Sequence, residues 1–326
     1  MTPSKSLLIV SIACILTSCA TPDNVSKTTG QMWEEEIRAT VSVPRTDVSG
    51  KDVKVEGTLF LSRNVTRVRG MIVVIHWGMS KAVFEAPEWR RFAESLECGL
   101  LHARIRSVDP ARSAGFADRQ RVVRDASVGG GEGLLVLLDR LATLSRHPEL
   151  KDADILIWGH SAAGSFGISF AEMLPERTIG FIRYHSHRRG ASTDMTVVAQ
   201  IPALLIAGGK DATAGVEDSE ELWMDGRSAG APWTFVIEPD ATHGSREVLK
   251  ETNRLVMLWI KAVFNQRMAG NGAGLRPISE NSAWTGDHLT GEITPAGSFP
   301  GKKTKAIWLP DEASARAWRD VSGTAK

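Results

Sequence analysis

Three side chains, far apart along the chain, have the types and the order that nucleophilic acyl chemistry needs. Ser161 stands in Gly159-His160-Ser161-Ala162-Ala163-Gly164, between an apolar run ending at Trp158 and a second apolar stretch opening at Ala162. A serine hydroxyl is a weak nucleophile until a base takes its proton. On a sharp turn between a strand and a helix it is held out at the strand's C-terminal edge, near the positive end of the helix. Such a turn needs small residues two before and two after the serine. Gly159 and Ala163 are small, although Ala163 stands where glycine is usual. The base is expected just after the last strand, where His243 lies in Asp240-Ala241-Thr242-His243-Gly244. An acid must orient that base. Asp211 closes Gly208-Gly209-Lys210-Asp211, directly after the apolar run 203–207, with Asp240 and Glu217 as reserve acids.

Other polar residues near these positions carry weaker signals. His160 precedes the serine and is expected to pack behind the turn, and His76 at a strand end is read as structural. The segment 183–189, Arg-Tyr-His-Ser-His-Arg-Arg, is the most basic stretch of the chain and should share an edge with Ser161. Arg183, Arg188 or Arg189 there could grip an anionic group on a substrate. A solvated loop is the favoured reading. Asp118, Arg121, Arg124 and Asp125 are read as a solvated face.

The elements that must position these groups follow from periodicity. Residues 37–43 and 53–61 alternate as a half-exposed antiparallel pair. Residues 71–75, Met-Ile-Val-Val-Ile, form a continuous apolar run, as in a central strand covered on both faces. Further strands are expected at 100–105, 154–158, 178–182, 203–207 and 233–237, and helices at 87–97, 134–144, 162–173, 216–227 and 245–264, the last capped by Ser245. The segment 108–128 reads as a surface excursion, punctuated by glycines at 129, 130, 131 and 133. Two antiparallel strands followed by repeated strand–helix units make an α/β, mostly parallel sheet.

The turn at 159–164, the Gly-x-x-Asp loop at 208–211 and the histidine before the last long helix together resemble the α/β-hydrolase superfamily, in its dienelactone-hydrolase and esterase-like branch. The resemblance covers roughly residues 71–268 and is specific for the fold rather than for a substrate. It implies the α/β-hydrolase fold, with a mostly parallel central sheet and helices on both faces. It also implies a Ser161–His243–Asp211 triad working through an acyl-enzyme on carboxylic esters, without metal or organic cofactor. The oxyanion hole would be the backbone N–H of Ala162 with that of Trp77 or Gly78, in the His76-Trp77-Gly78-Met79 loop. A serine peptidase of the same fold, usually found with an added propeller, and an inactive envelope binding protein are the alternatives.

The start of the chain reads as an export signal. Lys5 precedes a short apolar run at 7–16, which ends in Leu16-Thr17-Ser18-Cys19. That order resembles the bacterial lipobox, so Cys19 is the expected lipidation site. Residues 1–18 then form a lipoprotein signal peptide, 19–34 a tether, 35–268 the α/β domain and 269–326 an extension packed on it. The expected address is the cell envelope, on the outer membrane if the organism has two, with Ala20 rather than Asp after the cysteine. Of three cysteines, only Cys98 remains in the mature domain, so no internal disulfide is expected. The net charge of +1, from 39 basic and 38 acidic side chains, gives no pull toward nucleic acid. The expected partner is a small-molecule or polysaccharide ester. Of ten tryptophans, Trp308 and Trp318 in the extension are read as anchors into core grooves.

Overall fold

The structure is a computed structural model in which residues 34–76, 79–109, 115–187, 194–244, 249–268 and 274–322 are described. The signal-peptide and tether segments with Cys19, as well as Trp77, Gly78, Arg188, Arg189 and Ser245, lie outside the described residues. In chain order the elements are β1 (Glu34–Pro44), β2 (Asp52–Ser62), β3 (Gly70–Ile75), α1 (Met79–Glu85), α2 (Pro87–Ser95), β4 (Cys98–Val108), α3 (Phe116–Arg124), α4 (Gly130–Ser145), β5 (Ile155–His160), α5 (Ala162–Met173), β6 (Thr178–Tyr184), α6 (Met195–Val198), β7 (Ala203–Gly208), α7 (Glu217–Ser228), β8 (Trp233–Glu238) and α8 (Leu249–Arg267). The last fifty residues add β9 (Trp284–Gly286), β10 (Ile293–Pro295), β11 (Ile307–Leu309) and α9 (Glu312–Ser322).

The main sheet has eight strands in the order β1-β2-β4-β3-β5-β6-β7-β8. β1 pairs antiparallel with β2, and β2 antiparallel with β4. From β4 to β8 every pairing is parallel. All six residues of β3 and of β7 are buried, the pattern of strands covered on both faces. Two neighbours in β6 locate the covering layers. A Cβ on Gly180 would lie 3.3 Å from Trp259 of α8, whereas Phe181 Cβ lies 3.1 Å from the Cβ position of Gly167 in α5. Successive strand residues point to opposite faces, so α8 and α5 pack on opposite sides of the sheet. Because β3 to β8 run the same way, their C-terminal ends share one edge. Ser161, His185, Gly208 and Glu238 all fall along it.

The segment 108–128 is not a mere surface excursion. It contains α3, whose Val122 and Val123 are buried, and a 3-10 turn at Ala126–Val128. Arg121 is exposed, as a solvated face requires, but the two carboxylates Asp118 and Asp125 are tied down. Arg45, with its side chain fully buried, is bidentate to Asp47 at 2.8 Å and reaches Asp118 at 2.7 Å. Asp125 caps the 3-10 turn through the N–H of Ser127 and accepts from Ser169 on α5 at 3.0 Å. Of the following glycines, expected to interrupt structure, Gly129 caps α4 with φ 105°, whereas Gly130, Gly131 and Gly133 lie inside it. A Cβ on Gly133 would come within 2.6 Å of Val55 on β2, so glycine lets the helix approach the sheet closely. α1 was not anticipated from periodicity.

β9, β10 and β11 form a second, three-stranded sheet. Trp308 and Trp318 are buried, and Trp318 Nε1 donates to the carbonyl of Phe235 on β8 at 2.7 Å. The Trp308 carbonyl accepts from the Thr234 hydroxyl at 2.5 Å. The buried Arg227 of α7 donates to the carbonyls of Ala306 and Lys303. The extension is thus bonded to β8, the last strand of the main sheet.

Candidate active site

Ser161 occupies the single position between β5 and α5, with φ 57° and ψ −125°. That conformation is costly for a residue with a Cβ and persists only where its surroundings enforce it. The Ser161 N–H donates to the Tyr184 carbonyl at 2.9 Å, and its own carbonyl accepts from Gly164 at 3.0 Å. A Cβ on Gly159 would lie 2.1 Å from the Ala163 carbonyl oxygen, so the residue two before the serine must be glycine. The residue two after it need not be. Ala163 is fully buried without disturbing the turn, and the crowding falls one place later, where a Cβ on Gly164 would meet Ser186 at 2.6 Å.

Asp211 follows β7 in a loop drawn close to the loop after β8. A Cβ on Gly209 would lie 2.4 Å from the Pro239 carbonyl oxygen. The Gly209 and Lys210 N–H groups donate to the carbonyls of Glu238 and Ala241 at 2.7 and 2.9 Å. Asp211 is 4% exposed. Its Oδ1 accepts from the N–H groups of Thr213 and Ala214 at 2.8 and 2.9 Å. Burial works against its ionised form, but the N–H of Ala214, His243 and the N–H of Thr213 outweigh it and hold the carboxyl below the usual range.

His243 lies half-buried after β8. Its Nδ1 donates to Asp211 Oδ2 at 2.8 Å, and its Nε2 faces Ser161 Oγ at 2.9 Å. An ionised carboxylate only accepts, so the proton sits on Nδ1 and the Nε2 lone pair faces the serine hydroxyl. The structure therefore brings together the three residues singled out by sequence order. The reserve acids do not join them: Asp240 is largely exposed and paired with Lys210 at 2.6 Å, and Glu217 accepts from the N–H of Val216 at the start of α7.

Ala162 is the first residue of α5, where N–H groups have no partner within the helix. Trp77 and Gly78 lie outside the described residues, but the approach to them is described. His76 has φ 79°, and its carbonyl accepts from His102 Nε2 at 2.6 Å. Arg183 is buried rather than presented to solvent. Its guanidinium donates to the carbonyls of His187 and Gly164 at 2.7 and 3.4 Å, tying the chain after β6 to α5. That geometry does not suit it to hold a substrate anion.

His160 packs behind the turn as expected, and other groups at this edge escaped sequence reasoning. His160 does more than fill space: its Nε2 donates to the backbone carbonyl of His243 at 2.7 Å. Burial drives the His160 imidazole down to about 4, so it is neutral at pH 7. His185 and Glu238 are both buried beside Asp211. The signals for them were slight: a histidine one residue past a wholly buried strand, and a carboxylate on the last position of another.

No protein-family model matches the sequence, and no curated protein matches it. Solved structures do. The chain is similar to a Pyrococcus furiosus esterase at 11% identity, with 72% of this chain and 94% of that one covered and a TM-score of 0.50. It is also similar to a thermostable esterase, at 18% identity, 69% and 62% coverage and TM-score 0.47, so it spans less than two thirds of that relative. A dienelactone hydrolase from Anabaena variabilis gives 20% identity, 69% and 97% coverage and TM-score 0.44. The eight-stranded, mostly parallel sheet with helices around it is the α/β-hydrolase fold.

Proposed function

We propose that the protein is a serine hydrolase that cleaves carboxylic esters through an acyl-enzyme. The observation that carries this reading is the unbroken line Asp211 Oδ2–His243 Nδ1, 2.8 Å, and His243 Nε2–Ser161 Oγ, 2.9 Å, ending on a serine with φ 57°. His243 takes the Ser161 proton as Oγ attacks the carbonyl carbon. Asp211 holds the imidazole tautomer and stabilises the imidazolium. The N–H of Ala162, with that of Trp77 or Gly78, receives the oxyanion. Collapse of the tetrahedral adduct breaks the bond to the leaving alcohol, which takes the proton from His243. Water, deprotonated by His243, then releases the acid and restores Ser161.

The substrate proposed is an ester on a polysaccharide or a small molecule, met outside the cytoplasm by a protein anchored through lipid on Cys19. The test is labelling by a fluorophosphonate probe together with a screen of acyl esters. Wild type reacts at Ser161 and turns over at least one ester, and Ser161→Ala does neither. Folded wild-type protein that leaves the probe unreacted would refute the enzyme reading. The address is tested separately: Cys19→Ser moves the protein from the membrane to the soluble fraction, and equal partition of both forms removes the anchor.

A further inference from the structure

Behind the triad acid lies a second polar cluster, closed to water. His185, Asp211 and Glu238 all have fully buried side chains. Glu238, on the last position of β8, accepts from the Tyr184 hydroxyl at 2.8 Å, from His185 Nε2 at 3.0 Å and from the Thr252 hydroxyl of α8. A buried carboxylate is tolerated when hydrogen bonds satisfy it, and these three do so. Since Glu238 accepts, the proton of this contact belongs to His185 Nε2.

His185 is fixed in other ways too. Its ring stacks on Tyr184, with centroids 3.9 Å apart and planes 12° from parallel, and Tyr184 stacks in turn on Trp158. Its backbone has φ 45°, and its N–H continues the β6–β7 ladder to the Ile206 carbonyl at 2.8 Å. A Cβ on Gly208 would lie 2.8 Å from the Ala241 carbonyl oxygen and 3.0 Å from His185 Cε1, so glycine at the end of β7 leaves room for the ring. With Nε2 committed to Glu238, the other ring nitrogen points at the triad. Nδ1 has no hydrogen-bond partner and lies 3.8 Å from Asp211 Oδ2, the oxygen that receives His243. On the remaining side is His160, whose ring centroid is 6.3 Å from that of His185 and 4.9 Å from that of His243.

We propose that His185, seated on Glu238, is a positioning residue for the triad. The imidazole forms the inner wall against which the Asp211 carboxylate rests, so that Oδ2 stays directed at His243 Nδ1, and Glu238 acts through it. A fixed polar wall matters because a small displacement at a reacting centre can cost on the order of 100-fold in rate. The proposal rests on the reading of Ser161 as the nucleophile.

The experiment uses His185→Phe, which keeps an aromatic ring on Tyr184 and removes both nitrogens, and Glu238→Gln, which can keep an acceptor oxygen toward Tyr184 and His185 but puts an amide NH2 in place of the oxygen facing Thr252. Expected for His185→Phe is a fall in kcat of roughly 10–100-fold with KM within about twofold, and an equal fall in the fluorophosphonate labelling rate. The proton NMR resonance of the His243–Asp211 hydrogen bond shifts or broadens. Glu238→Gln moves the same quantities the same way by a smaller factor, and His185→Gln, which can still donate to Glu238, recovers part of the loss. A purely structural His185 lowers Tm while leaving kcat per folded molecule and the resonance unchanged, and that result overturns the proposal. If His185→Phe does not fold, Glu238→Gln decides, and wild-type kcat in it overturns the proposal. Wild type that fails to label at all sinks the nucleophile reading instead. The NMR comparison then still decides whether His185 orients Asp211 and His243.

Discussion

Replacing Asp211 by asparagine isolates one function of the acid, because the backbone dictates how the new amide must sit. Oδ1 of Asp211 accepts two N–H groups, from Thr213 at 2.8 Å and Ala214 at 2.9 Å. An asparagine must keep its carbonyl oxygen there. Turning its NH2 toward those donors would leave buried groups unpaired, at about 1–3 kcal/mol each. The NH2 is therefore forced toward His243 Nδ1, 2.8 Å away in the native contact. An amide N–H facing Nδ1 requires a lone pair on that nitrogen, so the imidazole proton moves to Nε2. Nε2–H then faces Ser161 Oγ across 2.9 Å and has no lone pair to receive the hydroxyl proton. The geometry survives while the base is lost. The expected fall in kcat is about 10⁴-fold, or about 5.4 kcal/mol of transition-state stabilisation. The assay is steady-state hydrolysis of an ester that wild type turns over, with Tm recorded to show that the fold is intact. A folded Asp211→Asn enzyme retaining more than a tenth of wild-type kcat would refute the reasoning, since the tautomer would then not be controlled through this contact.

Three further outcomes can be checked. Burial drives both His76 and His160 down to about 4, against about 6.5 in an unfolded chain, so both fold neutral. Their contribution is complete above about pH 6.5 and is lost as the pH falls toward 4. Each should remove about 2 kcal/mol between pH 7 and pH 5, and His76→Asn, tolerated at φ 79°, should cut that loss by about half in urea titrations; an unchanged difference between the two pH values counts against it. Cys98 is buried and its thiol is pushed up to about 12, so iodoacetamide at pH 8 should leave its peptide unmodified in folded protein and alkylate it in urea, as read by mass spectrometry. Trp318→Ala removes the hydrogen bond to Phe235 and opens a cavity beside Gly286, at a cost of about 3–5 kcal/mol and a Tm lower by roughly 10 °C, whereas a change of under ~1 kcal/mol would mean that the extension adds little to the fold.

The parts of this architecture that could be read from the chain are those set by local rules. A wholly apolar run of five residues such as Met71–Ile75 can only be a covered strand, and a helix that starts directly after Ser161 leaves the serine nowhere to sit but the turn. Loops after parallel strands reach one common edge, so the order Ser161, Asp211, His243 was enough to bring them into hydrogen-bond range. Where reading failed, a distant partner was in control. The charged, glycine-punctuated stretch around 108–133 has the composition of a loop. Yet Arg45, more than 70 residues upstream of Asp118, fixes one end of it, and Val55 of β2 takes up the space left by the missing side chain of Gly133.

The same distinction separates the residues proposed to act from the residues proposed to hold them. Ser161, Asp211 and His243 each sit in a short sequence context that their proposed chemistry demands, and their order along the chain picks them out together. Glu238 and His185 have no such context. Glu238 looks like an ordinary end to a strand, and His185 like one more cation in a basic run. Their proposed roles arise because β6, β7 and β8 are neighbours in the sheet, which sets Tyr184 beside Ile206 and Gly208 beside Glu238 and lets the Tyr184 hydroxyl reach the Glu238 carboxylate. Three residues at this edge that precede or form loops, His76, Ser161 and His185, have positive φ without being glycine. Backbone strain of that kind is retained where surrounding structure imposes it. At Ser161 it presents the hydroxyl to His243. At His185 it turns the ring under Asp211, and replacing both ring nitrogens there, while keeping the ring, tests whether the strain serves that same hydroxyl.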